Sequence, residues 1–453
     1  MDILMSENNL KKQLFGTNGV RGIIGESMTP ELVMKIGLSL GAMRKGTIAV
    51  GMDTRTSGPA LISALKSGLL SAGCNVVDVG VLPTPALQYI VKKHYDAGAM
   101  ITASHNPPEY NGVKLIDTDG TEMDDEETIK LETILFSETF KVKDWKNVGN
   151  EIFAHEMITE YIDGIVSQFS PVSEEMTIAV DPGSGPACLT TANILSKLGC
   201  RVHTINGTCD GTFPGRLPEP SVEGLKGLSE LVVSTNAAFG IAHDGDADRA
   251  VFIDDTGEYL EENEEFALMQ RHLCREAKDG VVVTPVSTSN IVEDVASQTN
   301  CRVVYTKVGS IYVARKMIEL ESAGENVLFG GEGNGGLIFP RHQYCRDGGM
   351  AAAAMLTLIS SEGKKLSELR KELPKRHMLR DKLYAENPAE IIKKILINLS
   401  DKNTDETDGV RINRKDSWAL LRPSGTEPFM RLFVEAENKE LAEKFRDEIK
   451  NII

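Results

Sequence analysis

The sequence predicts an α/β protein: three similar mixed-sheet α/β domains followed by a smaller α+β C-terminal domain. Three observations carry that prediction. An apolar strand, a turn of small residues, a helical pattern and a second apolar strand follow one another in the first hundred residues. The same succession returns twice more, and the pattern changes after residue 372. Strand, turn, helix and strand make a βαβ unit, which requires parallel strand pairs in one sheet.

The first copy runs from the strand 46–51 through a Gly/Ser turn and a helix over 61–70 to Gly73-Cys74 and a strand over 76–79. The second is a strand at 176–180, a loop at 181–185, a helix at 189–198, Gly199-Cys200 and a strand at 202–205. The third is a strand at 281–285, a turn at 287–290, a helix at 291–297, Cys301 and a strand at 303–305. Three copies imply three domains of about 100 residues each. Their expected bounds are 1–150, 151–253 and 254–372. Residues 373–453 read as the α+β domain, with amphipathic helices at 388–399 and 439–452 and strands at 417–421 and 430–435. The polar stretch 401–408 reads as a surface loop within it.

Composition narrows the class. A chain of 453 residues with 41% hydrophobic and 25% charged residues is ordinary for a globular protein. No apolar run approaches the ~20 residues of a membrane span, and residues 1–15 lack the apolar core of a signal peptide. A cytoplasmic location is expected, with no membrane partner. Seven cysteines, an odd number without a Cys-x-x-Cys pair, argue against a disulfide framework or a zinc site. Cys74, Cys200 and Cys301, each between a helix and a strand, read as small core residues. A net charge of −17 argues against a nucleic-acid partner. A homo-oligomer is compatible with the sequence, which is silent on assembly.

Four loops collect polar residues beside glycine or proline. The first is Thr102-Ala103-Ser104-His105-Asn106-Pro107-Pro108, running on to Lys114. The strand before it delivers Ser104 to a strand end, and Asn106-Pro107-Pro108 forbids helix and leaves a stiff loop. Ser104 is a nucleophile if a base such as His105 or Lys114 is near; otherwise it is a turn serine beside a turn histidine. The second loop is Asp244-Gly245-Asp246-Ala247-Asp248-Arg249 between two apolar strands. Its three carboxylates point to one side of an extended segment, or wrap around a point where the glycine lets the chain bend. Such crowding repels unless a cation sits among them, and all-oxygen ligation suits Mg²⁺; the alternative is a solvated acidic turn.

The third loop holds five glycines between Phe329 and Gly336, with Glu332 and Asn334 offering an acceptor and an amide to a polar ligand; Gly-rich turns without a ligand look alike. The fourth runs from Arg422 through Ser424, Gly425 and Thr426 to Pro428, with Arg431 beyond. Two arginines, two hydroxyls and the N–H groups of a Ser-Gly-Thr turn make a phosphate cradle, or a capping turn with surface arginines. It is not a P-loop.

In this order the four loops, preceded by Phe15-Gly16-Thr17-Asn18-Gly19-Val20-Arg21-Gly22, resemble the α-D-phosphohexomutase superfamily over nearly the whole chain. The resemblance implies four domains around a central active-site cleft, each giving one loop. It implies that Ser104 carries a phosphoryl group and that Asp244, Asp246 and Asp248, with a phosphoserine oxygen, hold Mg²⁺. Arg21 faces the site, Arg249 supports the phosphate, and His105 and Lys114 match positions proposed for proton transfer. Lys307 and Gly309 lie where the family reads the sugar phosphate, Glu332 and Asn334 where it reads the sugar, and Arg422 to Arg431 where it binds phosphate. A basic ring of Arg21, Lys114, Lys307, Arg422 and Arg431 would then answer the anionic substrate within an acidic protein.

The implied activity interconverts hexose 6-phosphate and hexose 1-phosphate through a 1,6-bisphosphate. Asn334 and Gly336 replace the serine and histidine of common bacterial forms, and the Asn-Gly-Gly form looks like archaeal phosphoglucosamine mutases and phosphomannomutases. Lys307-Val308-Gly309 leans toward glucosamine phosphate, with mannose or glucose phosphate next. A Mg²⁺-dependent phosphatase and a non-catalytic sugar-phosphate binder are the rival classes. The first would place an Asp-x-Asp element near the N-terminus, and the second would not need both Ser104 and the three aspartates.

Overall fold

The computed structural model describes residues 12–173, 175–385, 387–399, 403–423 and 429–452. These form two compact units. One comprises the described residues up to Tyr259 together with His342–Leu366, and the other Leu260–Arg341 with the described residues from Ser367 onward.

The first unit carries two sheets. Strands β1 (Val20–Ile23), β2 (Thr47–Met52), β3 (Asn75–Val81), β4 (Ala97–Ile101), β5 (Tyr110–Ile116) and β6 (Glu151–Phe153) line up as β1-β5-β4-β2-β3-β6. The core pairs β2/β3 and β2/β4 are parallel, as the repeat requires, while β5 runs antiparallel to β4 and β1. The crossover helix Gly58–Ser71 starts with Pro59 in its first turn, where the missing N–H costs nothing. It buries Leu61, Leu65 and Leu69, at helical spacing, in a core shared with Ile48, Val50 and Val76.

The second sheet holds β7 (Thr177–Asp181), β8 (Arg201–Thr204), β9 (Phe239–His243), β10 (Ala250–Ile253) and β11 (Tyr259–Leu260) in the order β11-β10-β9-β7-β8. Here β7 is parallel to β8 and β9, and β9 turns back antiparallel into β10. The helix expected over 189–198 is interrupted. A 3₁₀ turn at Pro186–Leu189 precedes the helix Thr191–Lys197, and Thr190 between them sits at φ −124°, ψ −61°. Gly185-Pro186 opens the tight turn, and Thr191 Oγ1 lies 2.9 Å from His243 Nε2, which seats the helix start on β9.

In the second unit β12 (Gly280–Pro285), β13 (Cys301–Thr306), β14 (Asn326–Glu332) and β15 (Gly336–Ile338) order as β13-β12-β14-β15, with β12 parallel to β13 and β14. Cys74 and Cys200 are buried as expected, but Cys301 is half-exposed because it starts the edge strand β13. The last sheet is antiparallel. It orders β16 (His377–Tyr384), β20 (Phe429–Ala436), β19 (Ser417–Pro423), β18 (Val410–Asn413) and β17 (Thr404–Asp405). The helix Lys439–Ile452 buries Ala442, Phe445 and Ile449 against it. The stretch expected as a surface loop, 401–408, contributes β17, which pairs with β18 because Thr404 and Asp405 face Ile412 and Arg411; residues 401–402 lie outside the described ones. No helix of the described residues is long and apolar enough to cross a membrane.

Candidate active site

Ser104 lies three residues beyond β4, and its backbone is left-handed (φ 49°), a conformation that strains a side-chain-bearing residue. The strain is held by specific bonds. Thr102 Oγ1 accepts from Ser104 N–H at 2.9 Å and donates to Asp53 Oδ2 at 2.7 Å. Ser104 Oγ in turn donates to Asp244 Oδ2 at 2.8 Å and lies 3.4 Å from His105 Nδ1. The serine is 1% exposed.

Arg55 fixes the loop from behind. Its guanidinium donates to the carbonyls of Ser104, Asn106, Pro107 and Tyr110 at 2.6–2.8 Å, and its Nε to Asp53 Oδ2 at 3.1 Å. Burial pushes Asp53 up to about 6 against the pull of Arg55. Sequence reading passed over Arg55. The available signal was a charged Asp53-Thr54-Arg55 immediately after an apolar strand, where an ion pair must be buried. Arg21, on β1, reaches the same loop by donating to Asn106 Oδ1 at 3.0 Å.

The loop between β9 and β10 brings Asp244, Asp246 and Asp248 together, fully buried, with one carboxylate oxygen from each within 4.8 Å of the others. It wraps rather than extends. The bend falls at Ala247 (φ 59°), not at Gly245 as the sequence suggested. Gly245 serves close approach instead: a Cβ there would stand 2.2 Å from the Ser104 carbonyl oxygen. Lys114, on β5, donates to Asp246 Oδ2 at 2.7 Å and to Asp248 Oδ2 at 2.8 Å. Thr84 Oγ1 donates to Asp246 Oδ2 at 2.6 Å and Arg346 to Asp248 Oδ2 at 2.6 Å. Neither Thr84 nor Arg346 was expected from sequence. Arg249 spans Asp244 and Glu219, donating to Asp244 Oδ2 at 3.2 Å and to Glu219 Oε2 at 3.0 Å.

Burial and the neighbouring Asp248 push Asp244 up to about 7, against Arg249. Burial also opposes ionisation of Asp248, but Arg346, Lys114 and Arg249 outweigh it and hold its pKa well below the usual carboxylate range. Burial disfavours the Lys114 charge, yet Asp246 and Asp248 raise it to about 12. His105, whose side chain is 44% exposed, is pushed down to about 4 by partial desolvation and by the Arg249 charge, so it is neutral at pH 7. Asp246 Oδ1 and Asp248 Oδ1 are buried with no hydrogen-bond partner among the described residues. Orphaned buried carboxylate oxygens, three carboxylates and a serine oxygen fit an oxygen-preferring divalent cation such as Mg²⁺.

The other two loops belong to the second unit. Glu332, buried at the end of β14, pairs with Gly336, and Asn334 Oδ1 accepts from Gly336 N–H at 3.1 Å. That bond uses one lone pair of the amide oxygen and holds the Asn334 side chain over the turn. Gly309 (φ 137°) precedes the helix Ser310–Ser322, and Lys307 is exposed beside it. Asp408 Oδ2 accepts from Val308 N–H at 2.9 Å and from Arg422 Nε at 2.7 Å, so one unforeseen carboxylate ties two predicted phosphate-reading segments together. Arg422 and Arg431 are direct cross-strand partners on β19 and β20 and share one face of the sheet. Ser424, Gly425 and Thr426 lie outside the described residues.

A strained serine hydrogen-bonded to a buried three-carboxylate cluster, set on repeated α/β sheets, is an arrangement that a phosphoryl-transferring enzyme can use. Four models of the phosphoglucomutase/phosphomannomutase family match in succession: α/β/α domain I at residues 12–142, domain II at 159–257, domain III at 261–377, and the C-terminal domain at 368–452. The chain is 42% identical to a phosphoglucomutase/phosphomannomutase of Thermococcus kodakarensis, over 96% of each chain. It is 39% identical to a phosphoglucosamine/phosphogalactosamine mutase of Sulfurisphaera tokodaii, over 97% of this chain and 99% of that one. A phosphoglucomutase/phosphomannomutase family structure from Burkholderia thailandensis shares the fold, with a TM-score of 0.86 at 24% identity over 97% of both chains. The chain therefore belongs to the phosphoglucomutase/phosphomannomutase family of the α-D-phosphohexomutase superfamily, whose members are isomerases.

Proposed function

We propose that this phosphohexomutase converts glucosamine 6-phosphate to glucosamine 1-phosphate in the cytoplasm, through phospho-Ser104 and a hexose 1,6-bisphosphate. The observation that carries the reading is Ser104 Oγ, 2.8 Å from Asp244 at a centre with two orphaned carboxylate oxygens. Asp244, Asp246, Asp248 and the Ser104 oxygen would hold Mg²⁺, which would supply charge neutralisation for the transferring phosphoryl group.

In the first half-reaction the sugar's C1 oxygen attacks phospho-Ser104. The Oγ–P bond breaks, the C1 oxygen–phosphorus bond forms, and the hydroxyl proton leaves to a base. Neutral His105, 3.4 Å from Oγ, would pass a proton on to the departing Oγ, so that the proton lost by the C1 hydroxyl ends on Ser104. Lys114 and Arg249 oppose the negative charge of phosphate and carboxylates together, and Arg21 braces the loop through Asn106. In the second half-reaction Ser104 Oγ takes the 6-phosphate back, and the proton returns to the departing C6 oxygen. Because either phosphate must be gripped in turn, the proposal assigns Lys307, Gly309, Arg422, Ser424, Gly425, Thr426 and Arg431 to the non-reacting phosphate. Glu332 and the Asn334 amide grip the sugar.

The Sulfurisphaera relative's name supports glucosamine, and the Thermococcus relative's name favours a second reading, mannose and glucose phosphates. Comparing kcat/KM for the three hexose phosphates, with a trace of bisphosphate and added Mg²⁺, decides between them. Glucosamine phosphate is expected to lead; a larger kcat/KM for mannose or glucose phosphate overturns the preference.

A further inference from the structure

Two of the seven thiols meet in the first unit, outside the acidic loop. Cys188 lies in the 3₁₀ turn Pro186–Leu189, and Cys209 in the connection that follows β8. Their sulfurs cross over each other's turns. Cys188 Sγ stands 3.6 Å from the Asn206 carbonyl oxygen, three residues before Cys209. Cys209 Sγ stands 3.8 Å from the Gly185 carbonyl oxygen, three residues before Cys188. Each thiol thus donates into the turn that carries the other, and Cys209 is exposed while Cys188 is half-buried.

The contact is polarised. The neighbouring Cys188 lowers the Cys209 pKa, while Cys209, together with burial, raises that of Cys188. The exposed Cys209 is thus both the sulfur that solvent reaches and the one that ionises more readily, while Cys188 is sheltered. That is the division of labour between an attacking and a resolving thiol. Cys274, which neighbours Cys301, has no such access: it is fully buried, and Cys301 is only half-exposed.

We propose that Cys188 and Cys209 form a peroxide-responsive dithiol that closes to an intramolecular disulfide and is reopened by small dithiols. The Cys209 thiolate attacks one oxygen of a hydroperoxide, and the O–O bond breaks. The sulfur becomes a sulfenic acid, and the displaced oxygen leaves, protonated, as water or an alcohol. Cys188 sulfur then attacks the sulfenic sulfur, the S–S bond forms, the S–OH bond breaks, and hydroxide departs as water with the Cys188 proton. Two thiols and one hydroperoxide give one disulfide, with both thiol protons accounted for.

The location gives this chemistry a structural address. Ser184 O accepts from Asp210 N–H and from Thr54 Oγ1, both at 3.0 Å, and Gly211 forms an isolated bridge with Arg55. The Arg55 guanidinium also lies over the Phe213 ring at 5.3 Å. The dithiol therefore joins a segment that touches Thr54 to one that touches Arg55, the arginine holding the Ser104 loop.

The test treats the reduced full-length protein with a small excess of hydrogen peroxide at neutral pH and maps its peptides without reduction. The expected product is a Cys188–Cys209 cross-linked peptide, an intact mass lighter by two hydrogen atoms, and recovery with dithiothreitol. In Cys188→Ser, dimedone should trap a sulfenic acid at Cys209, which the wild type resolves before it can be trapped. Cross-linking that first joins other cysteines overturns the proposal, as does Cys209 accumulating as sulfinic acid in the wild type.

Discussion

Arg55→Lys isolates the geometry of the Ser104 support from its charge. The lysine keeps a cation beside Asp53 but offers three donors from one point, where the guanidinium reaches four carbonyls and Asp53 at once. At least two carbonyl bonds are lost, and bonds from a charged donor contribute about 1.5–3 kcal/mol each. The local opening of residues 104–110 should then become easier by about 3 kcal/mol or more, a factor of ~100 in population. Two amides report on it directly: Asn106 N–H donates to Ala103 O and Tyr110 N–H to Pro107 O, both within the loop that Arg55 holds. Hydrogen exchange at these amides should accelerate ~100-fold, while amides of β2 and β3 stay protected. The mutase kcat should fall by a comparable ~100-fold, the cost of misplacing a reacting group by about an ångström. Wild-type exchange at Asn106 and Tyr110, or an unchanged kcat, would refute the assignment of Arg55 as the clamp of this loop.

Three further outcomes are expected. Gly245→Ala places a methyl 2.2 Å from the Ser104 carbonyl oxygen; overpacking of ~1–3 kcal/mol should separate the two loops and cut kcat ~100-fold with an unchanged far-UV spectrum. Asp408→Asn weakens the charge-assisted tie between Val308 N–H and Arg422, and should raise KM for the hexose phosphate ~10-fold more than it lowers kcat. Glu265 is buried with neither carboxylate oxygen hydrogen-bonded among the described residues, and burial, with Glu262 and Glu261 nearby, raises its pKa well above 4.5. The folded state thus holds the Glu265 proton more tightly than the unfolded state, so its contribution is best below pH 4.5 and is lost as pH rises toward the folded value. Glu265→Gln should therefore raise the thermal midpoint at pH 8 more than at pH 5, the gap growing by up to ~1.4 kcal/mol per pH unit; an equal effect at both pH values contradicts it.

The cluster of Ser104 with the three aspartates was legible because it is drawn from contiguous loops. Ser104, the three aspartates and the glycine run ending at Gly336 are each a short stretch between apolar strands, so sequence alone marked them. The parallel βαβ units were legible too, since β2/β3, β7/β8 and β12/β13 follow from local pattern and short crossovers. What escaped is non-local. Thr84 reaches Asp246 across 162 positions and Arg346 reaches Asp248 across 98, and no local spacing encodes either contact. Arg55 escaped because its partners are backbone carbonyls, which carry no residue signature. The bend at Ala247 was assigned to Gly245 because glycine usually supplies positive φ; here its missing Cβ is used for proximity to Ser104 instead.

The most direct test of the phosphoserine account is single turnover from the phosphorylated enzyme. Protein isolated with phosphate on Ser104, shown by intact mass and peptide mapping, is mixed with one equivalent of hexose 6-phosphate and Mg²⁺. The account predicts that the Ser104 phosphate appears in hexose 1,6-bisphosphate and in hexose 1-phosphate, and that Ser104→Ala carries no phosphate and isomerises nothing. Release of the phosphate to water without isomerisation, or an active Ser104→Ala enzyme, would contradict it.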